Sequence, residues 1–201
     1  MPEPLAVCVY HIGINPYHDT IPDEEFQNMV NSVIKEGARG IPNDESFAFV
    51  LLDPTASRFV PARDAVLAIA TVGAKGIDMI PNALDKVLNH RDKGEECGVL
   101  YYTQSHRLAD NSFRYGSSVC IDGTYVGGSG LDEHDDRLHC TILAARFNHA
   151  VQDHRSKWEV LFPREHYYWF SEKLEVPTRL LGLQDGLINK THAMRRFPVG
   201  F

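Results

Sequence analysis

Hydrophobic residues recur with a helical period in some segments of this chain and run together in others. Between Thr20 and Glu36, Phe26, Met29, Val30, Val33 and Ile34 fall at i, i+3, i+4, i+7 and i+8, which predicts an amphipathic helix. Asp19 or Thr20 would cap it, Pro22 suits its first turn, and Gly37 and Gly40 mark its end. Ahead of it, Leu5 to Ile12 reads as an entry strand. Phe47 to Asp53 (FAFVLLD) is an unbroken apolar run closed by Asp53-Pro54, the pattern of a strand covered on both faces. Arg58 to Pro61 reads as its short return strand. Asp64 to Ile80, rich in Ala, Val, Leu and Ile, is predicted as a buried helix, and Pro81 opens another through Asn89 with Leu84, Val87 and Leu88 inward. Val99 to Thr103 (VLYYT) reads as a further strand.

The stretch from Ser118 to His139 carries the most information. Asp122-Gly123 between two short apolar runs predicts a hairpin over 118–129, because the two-residue turn needs positive φ. Gly127-Gly128-Ser129-Gly130 then allows a strand, a helix or a ligand to approach the backbone closely. Asp132 is placed to cap a helix from Glu133 to about Gln152, with Asp135 three residues on. Amides at such a start can hold an anion. The order of elements implies an α+β fold, a layered mixed sheet with flanking helices, over residues 1–150 with an extra N-terminal strand. Residues 151–201 differ in texture. Trp158, Phe162, Tyr167, Tyr168, Trp169 and Phe170 crowd together there, which reads as an aromatic-rich extension packing on its own domain or on a neighbouring subunit of a homo-oligomer.

Charge and composition narrow the function classes. The net charge of −7 is interspersed along the chain, so no basic stripe points to nucleic acid. No apolar run approaches the roughly 18 residues that span a membrane. The Met-Pro-Glu-Pro start shows no secretory pattern, and the expected setting is cytoplasmic. The four cysteines, Cys8, Cys97, Cys120 and Cys140, form no C-x-x-C pair, which argues against a thiolate zinc site and against a disulfide framework. Cys120 and Cys140 read as small core residues. There is no G-x-G-x-x-G after a strand, no G-x-S-x-G elbow and no C-x-x-C-H.

Three local patterns resemble the GlcG/HbpS-like family of haem-degrading or haem-binding proteins, across about residues 21–150. They are FVLLD (49–53) with RFVP (58–61) and Arg63-Asp64-Ala65, Lys75-Gly76 in the following helix, and Asp122-Gly123-Thr-Tyr-Val126-Gly127-Gly128-Ser129-Gly130 before an acidic helix start. The resemblance implies a profilin-like domain and a ligand such as haem or a related flat, anionic tetrapyrrole. Histidine would then be the axial ligand, with Arg63 on a propionate. The chain departs from the family pattern in a shortened Arg-containing turn, a shortened glycine segment and the added termini.

Candidate chemistry follows from residue type and spacing. Arg63 and Asp64 follow a strand end, where a guanidinium can fork onto a carboxylate. The resemblance to the GlcG/HbpS-like family implies in addition that Arg63 and the amides of Gly128, Ser129 and Gly130 bind an anionic group from opposite sides. The other reading of Asp64 is a cap on its own helix. His134 and His139, five apart and hence about 140° apart on a helix, do not form a metal-gripping pair, and no metal site is expected. Glu133 with Arg137 and Asp135 with His139 share faces; a solvated acidic helix start and a site role for either histidine both remain open. Tyr102 and His106 close the expected strand and would suit proton transfer. Two functions result: a small-ligand-binding protein holding haem or a related molecule, or a cofactor-free acid–base enzyme (isomerase, lyase or cyclase) acting on a small organic acid or polyketide-like compound. In the second, His106, His134 or His139 moves protons. A structural module assembled through its aromatic C-terminus is the third alternative.

Overall fold

A computed structural model describes residues 6–56, 58–107 and 116–161, with the side chains of Cys97, Tyr102 and Glu159 outside the description. The order is β1 (Val7–His11), α1 (Asp23–Gly37), β2 (Phe47–Leu52), α2 (Ala62–Ala65), β3 (Val66–Val72), α3 (Gly76–Lys93), α4 (Cys97–Thr103), a 3-10 turn (Ser105–Arg107), β4 (Ser118–Ile121), β5 (Thr124–Ser129) and α5 (Glu133–Leu161). The strands form one sheet, β1-β3-β2-β5-β4, in which every pairing is antiparallel. The fold is α+β, as expected, but the sheet is not mixed. Two compact units divide the chain, residues 1–154 and 155–201. The described part of the second is the end of α5, and the aromatic cluster beyond residue 161 lies outside the described residues. No helix among the described residues is long and apolar enough to cross a membrane.

Period-2 alternation along β2 explains how both sheet faces are covered. Phe47, Phe49 and Leu51 pack with Phe26, Val30, Val33 and Ile34 of α1 and with Cys140, Leu143 and Phe147 of α5. Ala48, Val50 and Leu52 face Ala83 and Val87 of α3 on the other side. Every β2 residue is buried, so the run is apolar without a gap.

Three elements differ from the pattern-based expectation. Residues 64–80 are not one helix: after the single turn of α2, Val66–Val72 is the strand that pairs with both β1 and β2. A strand buried on both faces shows the same continuous apolar run as a buried helix, and periodicity cannot separate them. β-Branched Val66, Ile69, Thr71 and Val72 were the discriminating signal. Helix α3 begins at Gly76 and carries Pro81 inside it. With β3 filling the place beside β2, Arg58 to Val60 are turn and bend and Pro61 is the N-cap of α2. Val99–Thr103 belongs to α4, which packs beside α3 and, among the described residues, has no sheet partner to satisfy extended backbone. The hairpin forms as predicted, with φ of 48° at Asp122 and 83° at Gly123.

The glycine run is where the two helical layers close on the sheet. A Cβ at Gly127 would collide with the Ala83 carbonyl and stand 2.8 Å from Val87 Cβ; at Gly128 it would meet Cys140 Sγ and the Phe47 ring. Here α3 and α5 approach β5 from opposite faces. Lys86 of α3 passes this point and donates to Gly128 O at 2.9 Å and to Asp136 Oδ2 at 2.8 Å, while Asp136 Oδ1 accepts the Leu131 amide at 2.9 Å. Both side chains are almost fully buried. The pair therefore ties the layers on the two faces through the end of β5.

Lys86→Met should cost about 3–5 kcal/mol, because the Asp136 carboxylate is left buried without its cation. Lys86→Met with Asp136→Leu should recover most of that loss. Equilibrium urea unfolding reads both variants; a single variant as stable as the parent would remove the pair from this role.

Candidate functional site

The residues singled out by sequence are dispersed. Arg63 and Asp64 sit in α2, side chains largely exposed and paired with each other at 3.3 Å. That turn leads into Val66, which pairs with Leu52 at the end of β2, whereas Ser129 pairs with Ala48 at its beginning. Arg63 and the Gly128–Gly130 segment thus lie at opposite ends of a strand roughly 17 Å long and do not converge on one anion. Ser129 is buried in the sheet, and Gly128 is closed in by Phe47 and Cys140.

The histidines also separate. His139 is buried, with Nδ1 2.7 Å from Gly37 O and its ring against Phe47, so it joins α5 to the end of α1. His134 is exposed in the first turn of α5, where Asp132 Oδ1 accepts the amides of His134 and Asp135 at 3.0 Å. Asp132 is the expected N-cap. His106 is exposed in the 3-10 turn. Tyr102 belongs to α4, and its side chain lies outside the described residues. Among the described residues no three His, Cys, Asp or Glu side chains are grouped to hold a metal.

A different constellation forms where α3 ends, α4 begins and α5 starts. Glu96, in the N-cap position of α4, is buried. One carboxylate oxygen takes the Ser117 amide, and the other takes Arg137 Nη2 at 2.6 Å. Glu133 approaches the same guanidinium at 3.8 Å across one helical turn, and Ser117 Oγ donates to Glu133 O at 3.2 Å. Ser117 adopts φ of 89°, unusual for a residue with a Cβ. Gly116 has no room for one: it would strike carboxylate oxygens of both Glu96 and Glu133. On the next residue, Ser118 Oγ lies 3.0 Å from His90 Nδ1, and the His90 ring meets Tyr125 edge-on at 5.3 Å. Consecutive serines therefore hold a carboxyl group and an imidazole, and the charge of Arg137 acts on both. Arg137 and Glu133 are about half exposed, so the cluster opens to solvent on their side.

Burial sets the proton affinities here. Burial pushes the Glu96 carboxyl up from its ordinary range, against the Ser117 amide and Arg137. Burial pulls the His90 imidazole down, against the nearby charge of Glu95 and the bond to Ser118. Burial thus raises the proton affinity of the carboxyl and lowers that of the imidazole. Sequence reading found the Glu133–Arg137 pair but not Glu96, His90, Ser117 or Ser118. Glu95-Glu96 after Gly94 offered only a loop signal, and nothing local linked it to residues 21 to 41 positions away.

Because the folded-state pKa of His90 lies below the ordinary 6.5, the unfolded chain protonates first as pH falls. The His90 contribution to stability is full above that value and declines as pH drops through the window beneath it. His90→Gln, which keeps a polar partner for Ser118, should flatten this part of the profile. Thermal unfolding from about pH 7.5 to about pH 5 compares the two, and superimposable curves would exclude His90 as the source.

No family model, curated protein or solved structure matches this chain.

Proposed function

We propose that this chain is a small-ligand-binding protein that performs cofactor-free acid–base chemistry at the His90–Glu96 site. The observation that carries the reading is the anchoring of His90 and Glu96 by the consecutive residues Ser118 and Ser117, with Arg137 on the carboxylate. A neutral imidazole accepts a proton from a carbon or hydroxyl of the ligand. Glu96, whose proton affinity burial raises, is the group that exchanges the complementary proton. Arg137, half exposed beside Glu133, stabilises negative charge that develops between these steps. An isomerase or lyase reaction needs no more than this.

A profilin-like scaffold of the GlcG/HbpS type belongs to the same proposal. Supporting it are the antiparallel sheet with helices on both faces and the glycine run that leads into the acidic start of α5. Haem fits the described residues poorly. His139 is buried in the packed core against Phe47, His106 and His134 stand exposed, and Arg63 is at the far end of β2 from the His139–Phe47 contact.

Proton NMR in D2O, run with a panel of small carbonyl compounds, tests the acid–base reading through exchange of the hydrogens next to the carbonyl. The expected result is catalysed exchange of at least one member. His90→Asn and Glu96→Gln should each lower it by about 10²–10⁴-fold, with the fold intact by circular dichroism. Wild-type exchange rates in both variants would overturn the proposal. So would a saturable one-to-one Soret shift with haemin that disappears in His139→Ala, because the site would then be elsewhere.

A further inference from the structure

A second group of side chains surrounds Tyr125 on the face of the β4–β5 hairpin that looks toward α3. Cys120 lies directly across the hairpin from Tyr125, its thiol against the phenol hydroxyl. Cys120 is exposed, contrary to its reading as a core residue, whereas Cys140 is fully buried and burial pushes its thiol far up. His90 closes one side of the Tyr125 ring. The charge of Arg91, the next residue of α3, acts on the same hydroxyl.

Arg91 itself is only 7% exposed. Its Nε and Nη2 go to Asp92 Oδ1 at 3.0 and 2.9 Å, and Nη1, fully buried, has no hydrogen-bond partner. Among the described residues it is the buried side-chain nitrogen or oxygen left in this state. Leaving a cationic N–H unsatisfied costs more than leaving a neutral one, so such a group marks a place where a partner is missing. Asp92 neutralises one edge of the guanidinium from its half-exposed position; the other edge is left for a second acceptor.

We propose that Arg91 anchors an oxyanion, the carboxylate or phosphate of a ligand, beside Tyr125 and Cys120. The anion accepts from Nη1, beside the Tyr125 hydroxyl that meets Cys120. The neutral, half-buried His90 ring then stands next to the remainder of the molecule. The inference rests on the acid–base reading for the role of His90, and it gives the anionic group the contact that Arg63 was expected to make.

The thiol of Cys120 reports on this charge without any turnover. Full-length protein is alkylated with iodoacetate or iodoacetamide, and peptide mapping follows Cys120 and, as an internal reference, exposed Cys8. The iodoacetate-to-iodoacetamide rate ratio at Cys120 is expected to exceed that at Cys8 by about tenfold and to fall to the Cys8 value in Arg91→Gln. Phosphate or malonate, at ionic strength held with chloride, should slow the iodoacetamide reaction at Cys120 alone. Whichever anion protects at lower concentration identifies the ligand group as phosphate or carboxylate. Equal ratios at the two cysteines of the parent, or no protection by either anion, would overturn the proposal, and neither result depends on the variant folding. Anion capture without catalysed exchange would leave Arg91 standing while removing the acid–base reading; exchange without capture would do the reverse.

Discussion

The buried contact between Lys86 and Asp136 is the constraint from which the rest of the arrangement follows. A lysine in the middle of α3 reaches past the end of β5 to the first turns of α5, and this is possible only because Gly127 and Gly128 let both helices sit against the strand. Neither ion is tolerable there alone. Burial pushes the Asp136 carboxyl up, and the Lys86 ammonium with the Leu131 amide oppose that push. The start of α5 is accordingly set in position relative to α3 by a contact in which each charged group has its partners.

That position decides the geometry of the candidate site. Arg137 is the residue after Asp136, so holding Asp136 in the interior directs Arg137 outward to Glu96 and Glu133. Lys86 lies one helical turn before His90, so the same contact sets where the imidazole meets Ser118 and Tyr125. The buried contact and the candidate cluster thus share two helices, Lys86 and His90 one turn apart on α3 and Asp136 and Arg137 adjacent on α5. Loss of the former would disturb the latter without touching it.

Much of the local structure was legible. The α1 stripe, the Asp122-Gly123 turn and the Asp132 cap each follow from interactions within a few residues, and each is found near its expected place. Where the reading failed, the missing information was non-local. VLAIATV became a strand because β1 and β2 pair with it on either side, whereas VLYYT is helical and, among the described residues, lies outside the sheet. Residues 128–130 looked like an anion cradle, but a glycine run that admits a ligand and one that admits a helix are the same letters.

The chain's own pattern of side chains determined its class, the hairpin, the main helices and the acidic cap, because helical period, turn φ and capping are short-range properties. Tertiary structure decided which charges are buried and which partners they meet. Lys86 with Asp136, Glu96 with Arg137 and His90 with Ser118 are 50, 41 and 28 residues apart. Desolvation, which shifts their proton affinities, acts only once the layers have closed around them.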